Sequence, residues 1–294
     1  MKIIFIGALL LFSSLASALS GNEVQQRIDE DIKKGIPLVA HIVVALADNK
    51  NQWIAKVPAK IGNGQDPRNN LYWGALYGLK TFLSKKAGWQ IIYKTNDKNK
   101  LSAGILERIV LTKKINRGGK TISVFVVADA WDGKHIAGAV NSFFDFSASN
   151  STDNINISYA GKTRSLNAGG NSHLVGYIGH DLLMDLNFLD YNGLTEVVDL
   201  DKVIPTKNNN IKSAVVLACQ SKKYFLEKLD SLGVHPLILT NTNMAPEAYT
   251  LNAILKGHFA GKSPKQIHED AAIAYNKYQK SGIKGARSVF SYQK

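Results

Sequence analysis

Five stretches of this chain are almost wholly apolar over the length of a strand: residues 37–47 (PLVAHIVVALA), 121–128 (TISVFVVA), 173–179 (HLVGYIG), 213–218 (SAVVLA) and 236–239 (PLIL). A strand with one wet face alternates polar and apolar residues, whereas an unbroken apolar run must be covered on both sides. Segments of helical character fall between these runs. A helix is expected from Asp66-Pro67 through residue 86, with Leu71, Ala75, Leu76 and Leu79 on one side and the proline in its first turn. Others are expected over 102–113, in the second half of 129–146, and over 222–232, 246–256 and 264–280, with a further short strand at 90–94. The pattern predicts an α/β three-layer sandwich, a mostly parallel sheet of about six strands with helices on both faces. Residues 147–170, rich in Ser, Asn and Gly, are expected to form a loop or hairpin excursion.

The first twenty residues, MKIIFIGALLLFSSLASALS, carry one basic residue, a short apolar run and the triplet Ala16-Ser17-Ala18. That is the pattern of a signal peptide over 1–18, leaving 19–294 as a single α/β domain that is exported, periplasmic or extracellular. No later run is long enough to span a bilayer, so no transmembrane segment is expected. The chain has 36 Lys and Arg against 23 Asp and Glu, a net charge of +13. Such a surplus favours acidic partners, among them an acidic envelope polymer. The lysines lie in dispersed pairs such as Lys33-Lys34, Lys85-Lys86 and Lys113-Lys114, with no aromatic-basic motif, so specific nucleic-acid recognition is not expected.

In an open α/β sheet the reactive groups gather beyond the carboxyl ends of the strands. Those ends deliver Asp48 and Asn49, then Asp129, Trp131 and Asp132, then His180 and Asp181, then Cys219 and Gln220, and finally Asn241 and Asn243. Cys219 is the only cysteine, so it makes no internal disulfide. It is a buried inert thiol, half of an intermolecular bridge, or a nucleophile. If the strands ending at His180 and Cys219 are neighbours, roughly 5 Å apart, the imidazole and the thiol converge. The imidazole and a helix starting just after Cys219 would then favour the thiolate. His180, Asp181 and Asp185 also cluster in HDLLMD, but no second histidine at the next helical turn and no cysteine pair accompany them. Neither a metal nor any other cofactor is expected. The Gly62–Asn70 stretch GNGQDPRNN lacks the spacing of a phosphate cradle and reads as a loop, and the G-x-S-x-G elbow of α/β-hydrolases is missing.

An apolar strand ending in His followed by a second ending in Ala-Cys, here HLVGYIGH and SAVVLAC with 39 positions from His180 to Cys219, resembles the caspase-like cysteine peptidases of clan CD. That group includes legumains, gingipains, clostripain and caspases. The resemblance covers roughly residues 37–256. It implies Cys219 as nucleophile, His180 as general base or acid, and the Cys219 backbone N–H as an oxyanion donor. Asn49 resembles the residue that orients the histidine in legumain-type members. The family pattern is His-Gly, and Asp181 stands in place of that glycine, where its carboxylate opposes developing negative charge.

The expected function is therefore an exported cysteine peptidase-like hydrolase acting on a peptide or protein. The alternatives are a non-catalytic envelope-binding or scaffold protein on the same fold and a thiol-dependent acyl or peptidyl transferase. Asp48, Asp129 and Asp132, with Asn241 and Asn243 opposite, are expected to line the substrate groove. Carboxylates there would favour Arg or Lys beside the scissile bond.

Overall fold

Ser20 opens the first helix, α1 (Gly21–Lys34), with a capping box. It accepts the Glu23 N–H through its hydroxyl, while the Glu23 carboxylate accepts the Ser20 N–H at 2.8 Å. Gly35 in the left-handed region closes the helix. The chain then enters β1 (Leu38–Ala45), all eight residues of which are buried. A computed structural model describes residues 20–186, 198–206 and 210–293. The signal segment expected over 1–18 lies outside them.

The helix expected from Pro67 to 86 is confined to α2 (Leu79–Lys85), and residues before it form successive turns. Asn70 is the cause. Its side chain bonds the Ala47 N–H and C=O and the Asn63 C=O, and also receives the Tyr72 N–H, so local side-chain bonds replace the helical ladder. The coil is tight enough that a Cβ on Gly74 would lie 2.0 Å from the Arg68 carbonyl oxygen.

A second difference follows directly. After β2 (Gln90–Thr95), residues 102–113 are not helical: they belong largely to β3 (Ile105–Arg117), which pairs antiparallel with β4 (Lys120–Trp131). The two-residue connection Gly118-Gly119 has φ of 55° and 80°, a hairpin turn that only glycines adopt at little cost. Then come α3 (Ile136–Ser147) and a separate two-stranded hairpin of β5 (Thr152–Tyr159) and β6 (Lys162–Gly169). The remaining elements are β7 (Leu174–Ile178), α4 (Leu182–Leu186), β8 (Ser213–Leu217), α5 (Ser221–Ser231), β9 (His235–Thr240), α6 (Ala248–Phe259), α7 (Pro264–Gln279), α8 (Ile283–Val289) and β10 (Phe290–Ser291).

Among the described residues the main sheet has eight strands, in the order β10-β9-β8-β7-β1-β4-β3-β2. The expected six are exceeded because β3 carried a helix-like pattern and β10 is only two residues long. The five central strands are parallel, and β10, β3 and β2 add antiparallel edges. Side chains of β1 alternate between the two faces. Leu38, Ala40, Ile42 and Val44 pack with α1, α2, α6 and α7, while Val43 and Ala45 pack with α3 and α5. The β5–β6 hairpin covers the rest of that second face through Ile155, Ile157 and Leu166. Both faces are therefore dry along the centre of the sheet. Chemistry is left to the strand ends.

Candidate active site

β7 and β8 are neighbours and parallel, with Ile178 opposite Leu217. His180 and Cys219 each lie two residues beyond that pair, so they leave the sheet level with one another on adjacent strands. This is the juxtaposition on which the nucleophile reading depends. The turn after Cys219 is held firmly: Gln220 sits in the left-handed region at φ 51°, and its N–H donates to the Thr242 carbonyl at 3.0 Å. Ser221 then begins α5, its N–H bonded to Thr240 Oγ1 and its hydroxyl to the Val216 carbonyl. A non-glycine residue at positive φ carries strain of about 1–3 kcal/mol, which the surrounding bonds must hold in place.

His180 is buried, and its carbonyl accepts the Tyr177 hydroxyl at 2.8 Å. Its Nε2 donates to Asp185 Oδ2 at 2.6 Å. That bond puts the proton on Nε2 and leaves Nδ1 with the lone pair a base requires. Asp185 comes from the short helix α4, five residues after His180. Its residue type and nearness were visible in HDLLMD, but only the turn into α4 aims the carboxylate at the ring.

Asn49 does not take that role. Its side chain donates to the Val57 carbonyl at 2.7 Å and accepts the Val57 N–H, closing a surface loop.

Asp181 caps α4: its Oδ1 accepts the Met184 N–H at 3.1 Å, while Oδ2 is buried with no hydrogen bond to a described residue. Burial pushes its carboxyl up to about 7, against the opposing pull of the Met184 N–H and the His180 charge. The Cys219 thiol is half-buried and donates weakly to the Met244 carbonyl at 3.7 Å. Burial raises its pKa, and the Asp181 and Asp185 carboxylates raise it further, outweighing the bond to Met244. The expected enrichment of thiolate is thus reversed in the resting protein: desolvation and two carboxylates oppose the imidazole and the helix start. The phenols of Tyr72 and Tyr275 stand close enough to the thiol to be influenced by its charge and by that of Glu247. These residues come from a turn, α7 and the α6 N-terminus, so no local motif could have marked them.

Four of the five residues expected to line the substrate groove are engaged elsewhere. Asp48 Oδ2 and Asp132 Oδ1 both accept from Gln65 Nε2, at 2.8 and 2.6 Å. Asp48 also takes the Lys50 and Asn51 N–H groups and the Asn51 amide. A Cβ on Gly64 would lie 2.5 Å from Asp48 Oδ2, so the loop backbone fills the space a substrate side chain would need. The GNGQDPRNN loop is clamped onto two strand ends by this network. Asp129 is buried under the β5–β6 hairpin, paired with Arg108 at 2.5 and 2.7 Å and with His41 at 3.0 Å. Asn241 donates to the Ser288 and Phe290 carbonyls and pins β10. Asn243 alone is near the thiol's turn, accepting from Gln220 Nε2 at 3.1 Å. The carboxylates that would select a basic side chain are already satisfied within the protein.

No known protein family, curated protein or solved structure matches the chain. Among the described residues no helix is long and apolar enough to cross a membrane.

Proposed function

We propose that the chain is an exported hydrolase of caspase-like fold that cleaves amide bonds through Cys219, His180 and Asp185. The observation that carries this reading is the level emergence of His180 and Cys219 from adjacent parallel strands. The Asp185 bond to His180 Nε2 supports it by fixing the ring. Because the resting thiol is protonated, the reaction begins with proton transfer to His180 Nδ1 as sulfur attacks the substrate carbonyl carbon. The new C–S bond leaves charge on oxygen, and on this reading the Cys219 N–H and the Asp181 N–H receive it. Collapse breaks the C–N bond, and the proton held by His180 goes to the departing amine. Water, deprotonated by the same imidazole, then hydrolyses the thioester and releases the thiol.

The raised thiol also favours a second reading, a non-catalytic binding protein on this fold. A peptide carrying an electrophilic ketone in place of the scissile amide separates the two. Covalent modification at Cys219, lost in His180→Ala, is the outcome expected of a hydrolase. Equal modification rates in the two proteins would point to an ordinary thiol.

A further inference from the structure

At the end of the sheet opposite Cys219, a groove of about 560 Å³ opens between β3 and the pair α6 and α7. Lys113 lies opposite Val124, and Val124 is also paired with Leu38 at the start of β1, so the groove belongs to the beginnings of the parallel strands. Its lining includes Lys113, Lys114, Lys256, Lys262 and Lys277, set against a single carboxylate, Asp270. Asp270 is taken by Lys262 at 2.6 Å. The other four ammonium groups have no carboxylate partner among the lining residues; Lys113 donates to the Ala87 carbonyl and Lys277 lies over the Tyr278 ring. Burial, and after it the nearby charge of Lys256, lowers the Lys113 pKa. Lys114, Lys256, Lys262 and Lys277 are exposed and Lys113 is half-buried, so the groove gathers positive charge where an anion can reach it.

The remaining walls say what kind of anion fits. Tyr278 stacks on Tyr249 at 4.4 Å and meets Phe82 edge-on, so these rings are occupied with each other rather than presented for stacking on a ligand. No arginine lines the groove, so no planar fork is available to read one carboxylate or phosphate bidentately. Lysines on flexible stems recognise charge density instead. We propose that this groove is a binding site for a linear polyanion, a polymer with repeated phosphate or carboxylate groups. The site is separate from Cys219 and does not depend on the hydrolase reading.

The test uses fluorescently labelled linear polyphosphate and poly-glutamate, titrated onto the protein at increasing salt. Binding to at least one polymer is expected, weakening as salt rises, and which polymer binds tighter identifies the anionic group. The exposed pair Lys256→Ala/Lys277→Ala should weaken it about tenfold. Lys56→Ala/Lys60→Ala, which removes the same charge from an exposed loop, should change it less than about twofold. Thermal melts confirm that both double variants stay folded. Absence of binding by either polymer, or equal losses in the two double variants, would overturn the site.

Discussion

Burial is the main cause of the raised Cys219 thiol, and the Asp181 charge adds to it in a way that depends on pH. The Asp181 carboxyl titrates at about 7, so it is largely neutral below that pH and charged above it. Only the charged form raises the Cys219 pKa. Asp181→Asn keeps an oxygen to cap Met184 but removes the charge. Alkylation of Cys219 by iodoacetamide should therefore speed up above pH 7 and be unchanged well below it. A uniform change at every pH would mean that packing, not charge, had been altered. Asp185 is a positioning residue on the proposed reading. Asp185→Asn can still accept from His180 but cannot stabilise the imidazolium, and should lower kcat by roughly 10²–10⁴-fold with KM little changed. A loss appearing only in KM would remove Asp185 from the mechanism.

At the scale of elements, the β5–β6 hairpin is fastened to the sheet by a buried ionic network. Arg108 joins Asp129 to Asp153 of β5, His41 bonds Asp129, and the Gly169 N–H donates to His41 Nδ1 at 2.8 Å. Removing one member leaves its partners buried and uncompensated, so Asp129→Asn should cost about 3–5 kcal/mol in urea unfolding at neutral pH. Burial alone would raise the Asp129 carboxyl, but Arg108 and His41 hold it at about 2. Its folded value is below the unfolded one, so its stabilisation is complete above about 4 and is lost as pH falls towards 2. The stability difference between wild type and Asp129→Asn should therefore shrink across that window. A difference that stayed constant would exclude the ionic contribution.

Across the whole molecule, the starts of the parallel strands hold several buried bases. Lys212, just before β8, is fully buried, bonding the Ser147 carbonyl and Ser149 hydroxyl, and burial lowers its pKa to about 7. An unfolded chain keeps this lysine protonated to well above pH 9, so unfolding takes up a proton between about pH 7 and 10. Stability should rise with pH from 7 to 9, and Lys212→Met should flatten that rise; Tm followed by circular dichroism checks both. His258 works in the acid range. Burial, with His235, His173 and Arg117 nearby, lowers it to about 3, so stability falls as pH drops from about 6.5 towards 3. A melting temperature independent of pH from 7 to 9 in the wild type would contradict the Lys212 account.

The apolar runs by themselves determined a mostly parallel sheet covered on both faces, because an unbroken hydrophobic strand has no wet side to offer. They also determined that His180 and Cys219 end consecutive strands of that kind. Local patterning misjudged residues 102–113, where the glycine pair after β3 outweighed a helix-like spacing, and residues 67–78, where Asn70 bonds to a distant strand end. What only the tertiary structure decided was which strand ends are open. Asp48, Asp129 and Asp132 look alike in sequence to residues poised for a ligand. Each is satisfied by Gln65, Arg108 or His41, partners from 17 to 88 positions away. Whether a carboxylate selects a substrate or closes a loop depends on such long-range pairings, and these form only when the chain has packed.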